Sequence, residues 1–152
     1  MSNATTVDIA YRVLDEPIIS DNDVFDINRL LPQLSSSAPR LRVEMLYDMR
    51  RTGTMIFIAR DCTTGHIVGT VLLVPMKILV GQKDWIEDVV VDQDYRRLGI
   101  ASTLMDMAEE VSRQRGAKSV NLTSSRERVD ARRFYLARGY KIRESDLFRI
   151  TW

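Results

Sequence analysis

The feature that most constrains the fold is a change of hydrophobic period between residues 85 and 111. Residues 85–91, W-I-E-D-V-V-V, are typical of a buried strand, whereas apolar side chains from Ile100 onward recur at helical spacing, with charges on the opposite face. A short loop that contains Gly99 joins the two patterns, and Gly116 is placed to end the helix. A strand that leads directly into a long amphipathic helix predicts a fold in which helices cover a sheet.

Further alternating or β-branched runs predict a strand at residues 7–13 and more strands along the chain, at residues 55–59, 67–76, 119–123, 140–142 and 147–152. Helical spacing predicts helices at residues 21–31, 39–53, 100–116 and 129–138, and Pro32 should stop or kink the first of them. Short turns make the middle strands antiparallel, whereas a helical crossover makes its two strands parallel. We therefore expect an α/β (α+β) fold, with a mixed, mostly antiparallel central sheet of six to seven strands flanked by about four helices. A length of 152 residues predicts one domain, residues 1–152.

Composition argues against several classes of partner. Lys plus Arg number 22 and Asp plus Glu number 21, so no net field draws the chain to nucleic acid or to an anionic membrane. No apolar run reaches the length of about 18 residues that a membrane helix needs, and we expect a cytoplasmic protein that binds no membrane. Cys62 has no second cysteine to pair with, and His66 has no neighbours at metal-ligand spacing, so we expect no disulfide and no metal.

The loop before the long helix has the residues of an anion-binding site. The first amides of a helix lack intrahelical partners, and the helix dipole adds about half a positive charge there. Gly99 allows close approach of the backbone to a ligand, and Arg96 and Arg97 supply charge for phosphate. The loop matches neither the ATP-binding G-x-x-x-x-G-K-[ST] motif nor the dinucleotide-binding G-x-G-x-x-G motif. On these residues alone a purely structural role remains open, in which Gly99 starts a helix and the arginines are solvated.

Two segments resemble signatures of the GNAT superfamily of N-acetyltransferases. Residues 96–101, R-R-L-G-I-A, resemble its R/Q-x-x-G-x-G/A signature, and residues 131–140, A-R-R-F-Y-L-A-R-G-Y, resemble its A-x-x-F-Y-x-x-x-G-F/Y stretch. The detailed resemblance covers residues 65–152. It looks closest to small bacterial members of unassigned substrate, with a short likeness of residues 86–92 to glucosamine-6-phosphate N-acetyltransferases. The resemblance implies a GNAT fold, acetyl-CoA as the co-substrate and N-acetyltransferase activity.

The same resemblance implies which residues bind acetyl-CoA. The backbone of a strand would hold the pantetheine arm, through Val89, Val90 and Val91. The anion loop would hold the pyrophosphate, through Arg96, Arg97, Leu98, Gly99, Ile100, Ala101 and Ser102. Arg128 stands where the family usually has an asparagine and would also contact coenzyme A. Tyr135 occupies the position of the family's general acid toward the coenzyme A sulfur; the alternative is that its ring only packs on the sheet.

Glu87 is the candidate general base. It is a carboxylate inside an apolar strand, and burial would raise its pKa toward that of a useful base. Strand alternation places Asp88 on the opposite face, as the competing candidate. The structural alternative is that Glu87 pairs with an arginine and only holds the sheet together.

The expected reaction is direct attack of a small-molecule primary amine on acetyl-CoA in a ternary complex. Two alternatives remain: a protein or peptide amine as the acceptor, or an acetyl-CoA-binding sensor module without turnover. Arg126, Arg128, Arg132 and Arg133 are spread around a helix among acidic residues, so no nucleic-acid partner is expected. The final strand has the character of an edge that could pair two copies in a homodimer.

Overall fold

A computed structural model describes residues 7–152, and the chain divides into two compact units, Met1–Leu122 and Thr123–Trp152. The strands of the first unit are β1 (Ile9–Val13), β2 (Met55–Asp61), β3 (Ile67–Ile78), β4 (Gly81–Val91) and β5 (Val120–Asn121). Its helices are α1 (Asp21–Leu34), α2 (Val43–Arg51) and α3 (Ile100–Gln114), and the second unit contains α4 (Val129–Ala137). Over residues 7–152 no helix combines the length and the apolar character needed to cross a membrane.

The five strands form one mixed sheet in the order β1-β2-β3-β4-β5. The first four strands pair antiparallel with their neighbours, because short turns connect β2 to β3 and β3 to β4. β4 and β5 pair parallel, and α3 provides the crossover between them. The predicted α/β class, the mixed sheet and the four helices are confirmed.

The predicted number of six to seven strands is wrong for the described residues, which contain five strands. Residues 140–142 and 147–152 form no strand, although their apolar residues alternate. Phe148 is 89% exposed and Trp152 is fully exposed. A strand exists only where a neighbour completes its hydrogen-bond ladder, and periodicity in one segment carries no information about that neighbour.

Helices cover both faces of the sheet in the first unit. Leu30 of α1 and Leu46 of α2 join Ile56 and Ile58 of β2 in one buried cluster. On the opposite face α3 approaches β3 at Gly69, where a Cβ atom would lie 3.1 Å from Ile100 Cγ2. Gly69 therefore allows the start of α3 to pack directly on the sheet.

The start of α1 is fixed by a capping box. Ser20 Oγ accepts a hydrogen bond from the Asp23 amide at 3.1 Å, and the Ser20 amide donates to Asp23 Oδ2 at 3.2 Å. The helix continues to Leu34, past Pro32, because a proline in the last turn removes only one helical hydrogen bond.

Candidate active site

A β-bulge interrupts β4 near its end, at the two candidate bases Glu87 and Asp88. Leu72 of β3 faces Glu87 and Thr70 faces Val90, so Asp88 and Val89 together lie opposite a single residue of β3. Asp88 has a φ of 49°, in the left-handed region, and its carbonyl oxygen accepts a hydrogen bond from Thr70 Oγ1 at 3.1 Å. The bulge therefore redirects the Asp88 side chain.

The β-bulge separates the two carboxylates from the regular alternation of the strand. Directly paired residues share a face, so Glu87 lies on the face of Leu72. Asp88 has no direct partner in β3, and it is among the residues that line a cleft together with Leu72 and Thr70. That Asp88 points to the opposite face stays a prediction. The extra residue in the bulge cancels the alternation on which the prediction rested.

Both carboxylates are shifted toward their protonated forms. Burial raises the pKa of Glu87, and the nearby negative charge of Asp88 raises it further. Burial also raises the pKa of Asp88. Both residues remain exposed on one side, so they can exchange protons with water. Within residues 7–152 no arginine forms an ion pair with Glu87, so the structural alternative for this residue has no support here.

The cleft beside Asp88 lies between the sheet and the first two helices. Its cavity volume is about 30 Å³. Its walls are apolar side chains of α1, α2, β2 and β3, and Asp88 and Thr70 are the two polar residues that line it. Most of these apolar side chains also belong to the buried core or pack against it, so the cleft is a small gap at the edge of the core.

At the end of β4 lies the loop for which the sequence predicts anion binding. Arg97 and Gly99 both adopt left-handed conformations, with φ of 65° and 77°, and Gly99 is the N-cap of α3. No side chain caps this helix, and its ladder begins with the bond from the Thr103 amide to the Gly99 carbonyl. Successive amides in alternating conformations form a concave donor surface, and the helix dipole favours an anion there. Arg96 folds back, and its Nε donates to the Val91 carbonyl at 3.3 Å.

The parallel pairing of β4 with β5 is short. It joins Asp84 to Val120 and Trp85 to Asn121, and in the described chain it extends no further. The segment Val89 to Val91 therefore lies beyond the part of β4 that pairs with β5, and an edge without a paired strand can bind an extended ligand.

Two contacts that sequence analysis missed hold α1 against the end of β4. Arg29 forms an ion pair with Asp92, and the Gln93 amide donates to Gln33 Oε1 at 2.9 Å. Arg29 and Gln33 are four residues apart and so share a face of α1. That spacing is a signal for a common contact surface, but it does not identify the partner.

A buried polar contact fixes the other end of the β4 region. Asp84 is completely buried and accepts a hydrogen bond from Ser112 Oγ at 2.7 Å, while its amide donates to the Ser119 carbonyl. These bonds join β4 to α3 and to the segment before β5. Sequence analysis gave Asp84 no role, because one carboxylate before a strand of mixed polarity has no distinguishing pattern.

The second unit contains the other two candidates, Tyr135 and Arg128. Arg128 is the N-cap of α4, and its amide donates to the Ser125 carbonyl at 3.1 Å. The ring of Tyr135 makes edge contacts with Phe134 and Tyr140, with centroid distances of 5.4 and 5.9 Å. Their roles toward coenzyme A stay predictions.

Comparison with known proteins adds a family to this geometry. The family model described as acetyltransferase (GNAT) matches residues 23–140. The chain is 33% identical to a glucosamine 6-phosphate N-acetyltransferase of Trypanosoma brucei brucei over 147 residues, which is 93% of this chain and 95% of the relative. A crystal structure of a Trypanosoma brucei acetyltransferase superposes with a TM-score of 0.78 at 28% identity, covering 95% of this chain and 100% of that one.

A more distant structure shares the fold. It is an aminoglycoside N-acetyltransferase solved in complex with CoA, with a TM-score of 0.75 and 17% identity over 95% of each chain. The family match spans more than half of the chain and includes both segments on which the resemblance rested, so the predicted family and the predicted enzyme class, an acyltransferase, are confirmed. The chain therefore belongs to the acetyltransferase (GNAT) family.

Proposed function

We propose that the protein transfers the acetyl group of acetyl-CoA to a primary amine of a small molecule, by direct attack in a ternary complex. The observation that carries the proposal is the order of features along β4: two carboxylates with raised pKa values at the bulge, then the segment Val89 to Val91 beyond the pairing with β5, then the uncapped start of α3. Proton acceptors therefore precede a surface for an extended ligand and a site for its phosphates.

The start of α3 binds the pyrophosphate of acetyl-CoA in this proposal. Amides from Leu98 to Ser102 donate to the phosphate oxygens, and Arg97 adds positive charge. The backbone of Val89 to Val91 binds the pantetheine arm as an added strand would, and one of these amides polarises the thioester oxygen. Arg128 contributes a further contact to coenzyme A. A fold neighbour that was solved with CoA supports this choice of ligand.

The amine nitrogen attacks the thioester carbonyl carbon, a C–N bond forms, and the C–S bond breaks. The proton of the attacking amine passes to Glu87 through water, because a carboxylate with a raised pKa accepts it more readily. Tyr135 donates a proton to the departing thiolate. The products are an N-acetylated amine and free coenzyme A, and Tyr135 and Glu87 return to their starting states by exchange with water.

A small-molecule acceptor is favoured over a protein amine by the relatives. The relative that matches nearly the whole chain is named for glucosamine 6-phosphate, a small amine.

The test is a thiol-release assay with acetyl-CoA and a panel of small amines, together with a lysine-containing peptide. We expect amine-dependent release of coenzyme A that falls in Glu87→Gln. Glu44→Gln, the same substitution in the first turn of α2, is the matched control and should retain turnover. Binding of acetyl-CoA with no turnover on any amine would identify a sensor instead. Thermal stability that is unchanged by saturating acetyl-CoA would refute both, because a ligand at 100 times its Kd stabilises by about 2.7 kcal/mol.

A further inference from the structure

A tyrosine anchors the segment that leads from β4 to the start of α3. Tyr95 is the last residue of a short 3₁₀ helix, Gln93–Tyr95, and its hydroxyl donates a hydrogen bond to Asp61 Oδ2 at 2.6 Å. Such a short bond is typical of a hydroxyl on an ionised carboxylate, which is about twice as strong as a bond between neutral groups. Because Asp61 is the last residue of β2, the contact ties this segment to a distant part of the sheet.

The Asp61 carboxylate is itself held in one orientation. Asp61 is 4% exposed, and its Oδ1 accepts a hydrogen bond from the Thr63 amide at 2.7 Å, so its Oδ2 is directed at Tyr95. The bond from the Tyr95 hydroxyl is the largest cause that holds the pKa of Asp61 below its usual range. The same bond raises the pKa of Tyr95. The carboxylate is therefore charged at neutral pH, and the hydroxyl keeps the proton that it donates.

The other end of the loop before α3 is fixed by Ile100, which is 2% exposed and packs against β3. Four residues, 96–99, connect the anchored Tyr95 to Ile100, and two of them, Arg97 and Gly99, have left-handed backbones. A residue such as Arg97 keeps this conformation only where the surrounding structure imposes it. Two fixed ends so close together impose the shape of the loop.

We propose that Tyr95, held by Asp61, is a positioning residue for acetyl-CoA, which keeps residues 96–99 in the shape that directs the first amides of α3 toward the pyrophosphate. This inference rests on the proposed function and adds to it a contact on which phosphate binding depends. Without the hydroxyl, the loop would spend part of its time in other shapes. The affinity for coenzyme A would fall with the fraction of molecules in the binding shape.

The test compares two acetyl donors in the thiol-release assay with the full chain. Acetyl-CoA contains the pyrophosphate, whereas S-acetylpantetheine has the same thioester and pantetheine arm without any phosphate. Tyr95→Phe should raise the KM for acetyl-CoA by about 10-fold with kcat nearly unchanged. The kcat/KM for S-acetylpantetheine should stay close to that of the wild type. A merely structural role of Tyr95 would instead lower activity with both donors.

Further variants test the pair through the Kd for coenzyme A, measured by calorimetry without turnover. Asp61→Asn keeps an oxygen for the Thr63 amide but places a nitrogen opposite Tyr95, so it should raise the Kd about as much as Tyr95→Phe. The double variant should bind no more weakly than either single variant, because both changes remove the same bond. Tyr11→Phe, a matched loss of a hydroxyl in the edge strand β1, should leave the Kd unchanged.

The outcomes distinguish this inference from the proposed function. If Tyr95→Phe binds coenzyme A with the wild-type Kd, or if the effects of the two single variants add in the double variant, the inference fails and the proposed function survives. An equal loss of kcat/KM with both donors also overturns the inference. If the wild type itself binds no coenzyme A, the proposed function fails, and the inference fails with it. A raised Kd shared by the single and double variants supports the inference.

Discussion

Asp88 follows Glu87 directly in β4 and, with a φ of 49°, belongs to the β-bulge that ends the regular pairing at Glu87. The charged form of Asp88 disfavours the charged form of Glu87. The negative charge of Asp88 adds to burial in raising the pKa of Glu87. The folded state therefore maintains at this position an arrangement that is unfavourable for stability and suited to proton uptake.

Neutralising either carboxylate should stabilise the fold at neutral pH. A carboxyl group whose pKa is higher in the folded state binds more protons there, so its contribution to stability is lost as pH rises through the folded pKa. Glu87→Gln and Asp88→Asn should each raise Tm at neutral pH. The gain should vanish below a pH of about 4, where the group is protonated in both states. Thermal unfolding from acid to neutral pH measures this, with the exposed Asp146→Asn as the control. A lower Tm in both variants at neutral pH would contradict it.

Gly99→Ala should weaken binding of coenzyme A in addition to its cost in stability. Gly99 and Gly116 bracket α3 with φ of 77° and 79°, and an added Cβ would meet no atom within 4 Å at either position. Each substitution should therefore cost about 1–2 kcal/mol of unfolding free energy through backbone strain alone. Only Gly99 lies at the proposed phosphate site. Calorimetric titration with coenzyme A should show reduced affinity for Gly99→Ala and wild-type affinity for Gly116→Ala. Equal affinities would place the phosphates elsewhere.

Arg29→Met should destabilise the first unit by about 1–3 kcal/mol, because it leaves Asp92 buried without its charged donor. Burial opposes ionisation of Asp92, but hydrogen bonds from Arg29 and from the Asp94 amide outweigh it, so the pKa of Asp92 lies below its ordinary value. The pair therefore stabilises above that ordinary value, and its contribution is lost as pH falls through the folded pKa.

Urea unfolding at neutral and acid pH provides the measurement for Arg29→Met. The difference from the wild type should shrink at the acid end. Arg51→Met is the matched control, because Arg51 pairs with Asp48 on the exposed surface of α2, where an ion pair contributes about 0–1 kcal/mol. Equal destabilisation by both changes would show that the buried pair of Arg29 with Asp92 contributes no more to the free energy of unfolding than the exposed pair of Arg51 with Asp48.

Tyr135→Phe should lower kcat by about 10²–10⁴-fold, the usual range for a positioned proton donor. The edge contacts of the Tyr135 ring with Phe134 and Tyr140 do not need the hydroxyl group, so the substitution keeps this ring packing. Tyr140→Phe removes a hydroxyl from the neighbouring ring and should leave kcat close to that of the wild type. Similar kcat values for the two variants would show that Tyr135 is not the proton donor.

Sequence patterns predicted those elements whose signals are local. The run from β2 to β4 alternates apolar residues between turn residues, and α3 has one apolar stripe that ends near Gly116, so each could be found from its own residues. The loop before α3 could also be located, because a strand that leads into a helix is recognised from its own residues. That this loop binds an anion stays a prediction.

The remaining features depend on pairing between distant segments. The bulge at Asp88 depends on the register of β4 against β3, and the only local sign is two successive acidic residues where alternation would place one. The ion pair of Arg29 with Asp92 joins residues that are far apart in sequence. The prediction of strands at residues 140–142 and 147–152 was wrong for the same reason, because the apolar pattern of a segment does not show which strand it would pair with.

At Gly69 the sheet separates the start of α3 from the side chains that β3 presents on its other face. The start of α3 packs on one face of β3, while Thr70 and Leu72, the next residues along, turn toward the cleft on the other face. Substitutions at Thr70 and Leu72 can therefore accumulate without disturbing the helix that starts behind the sheet.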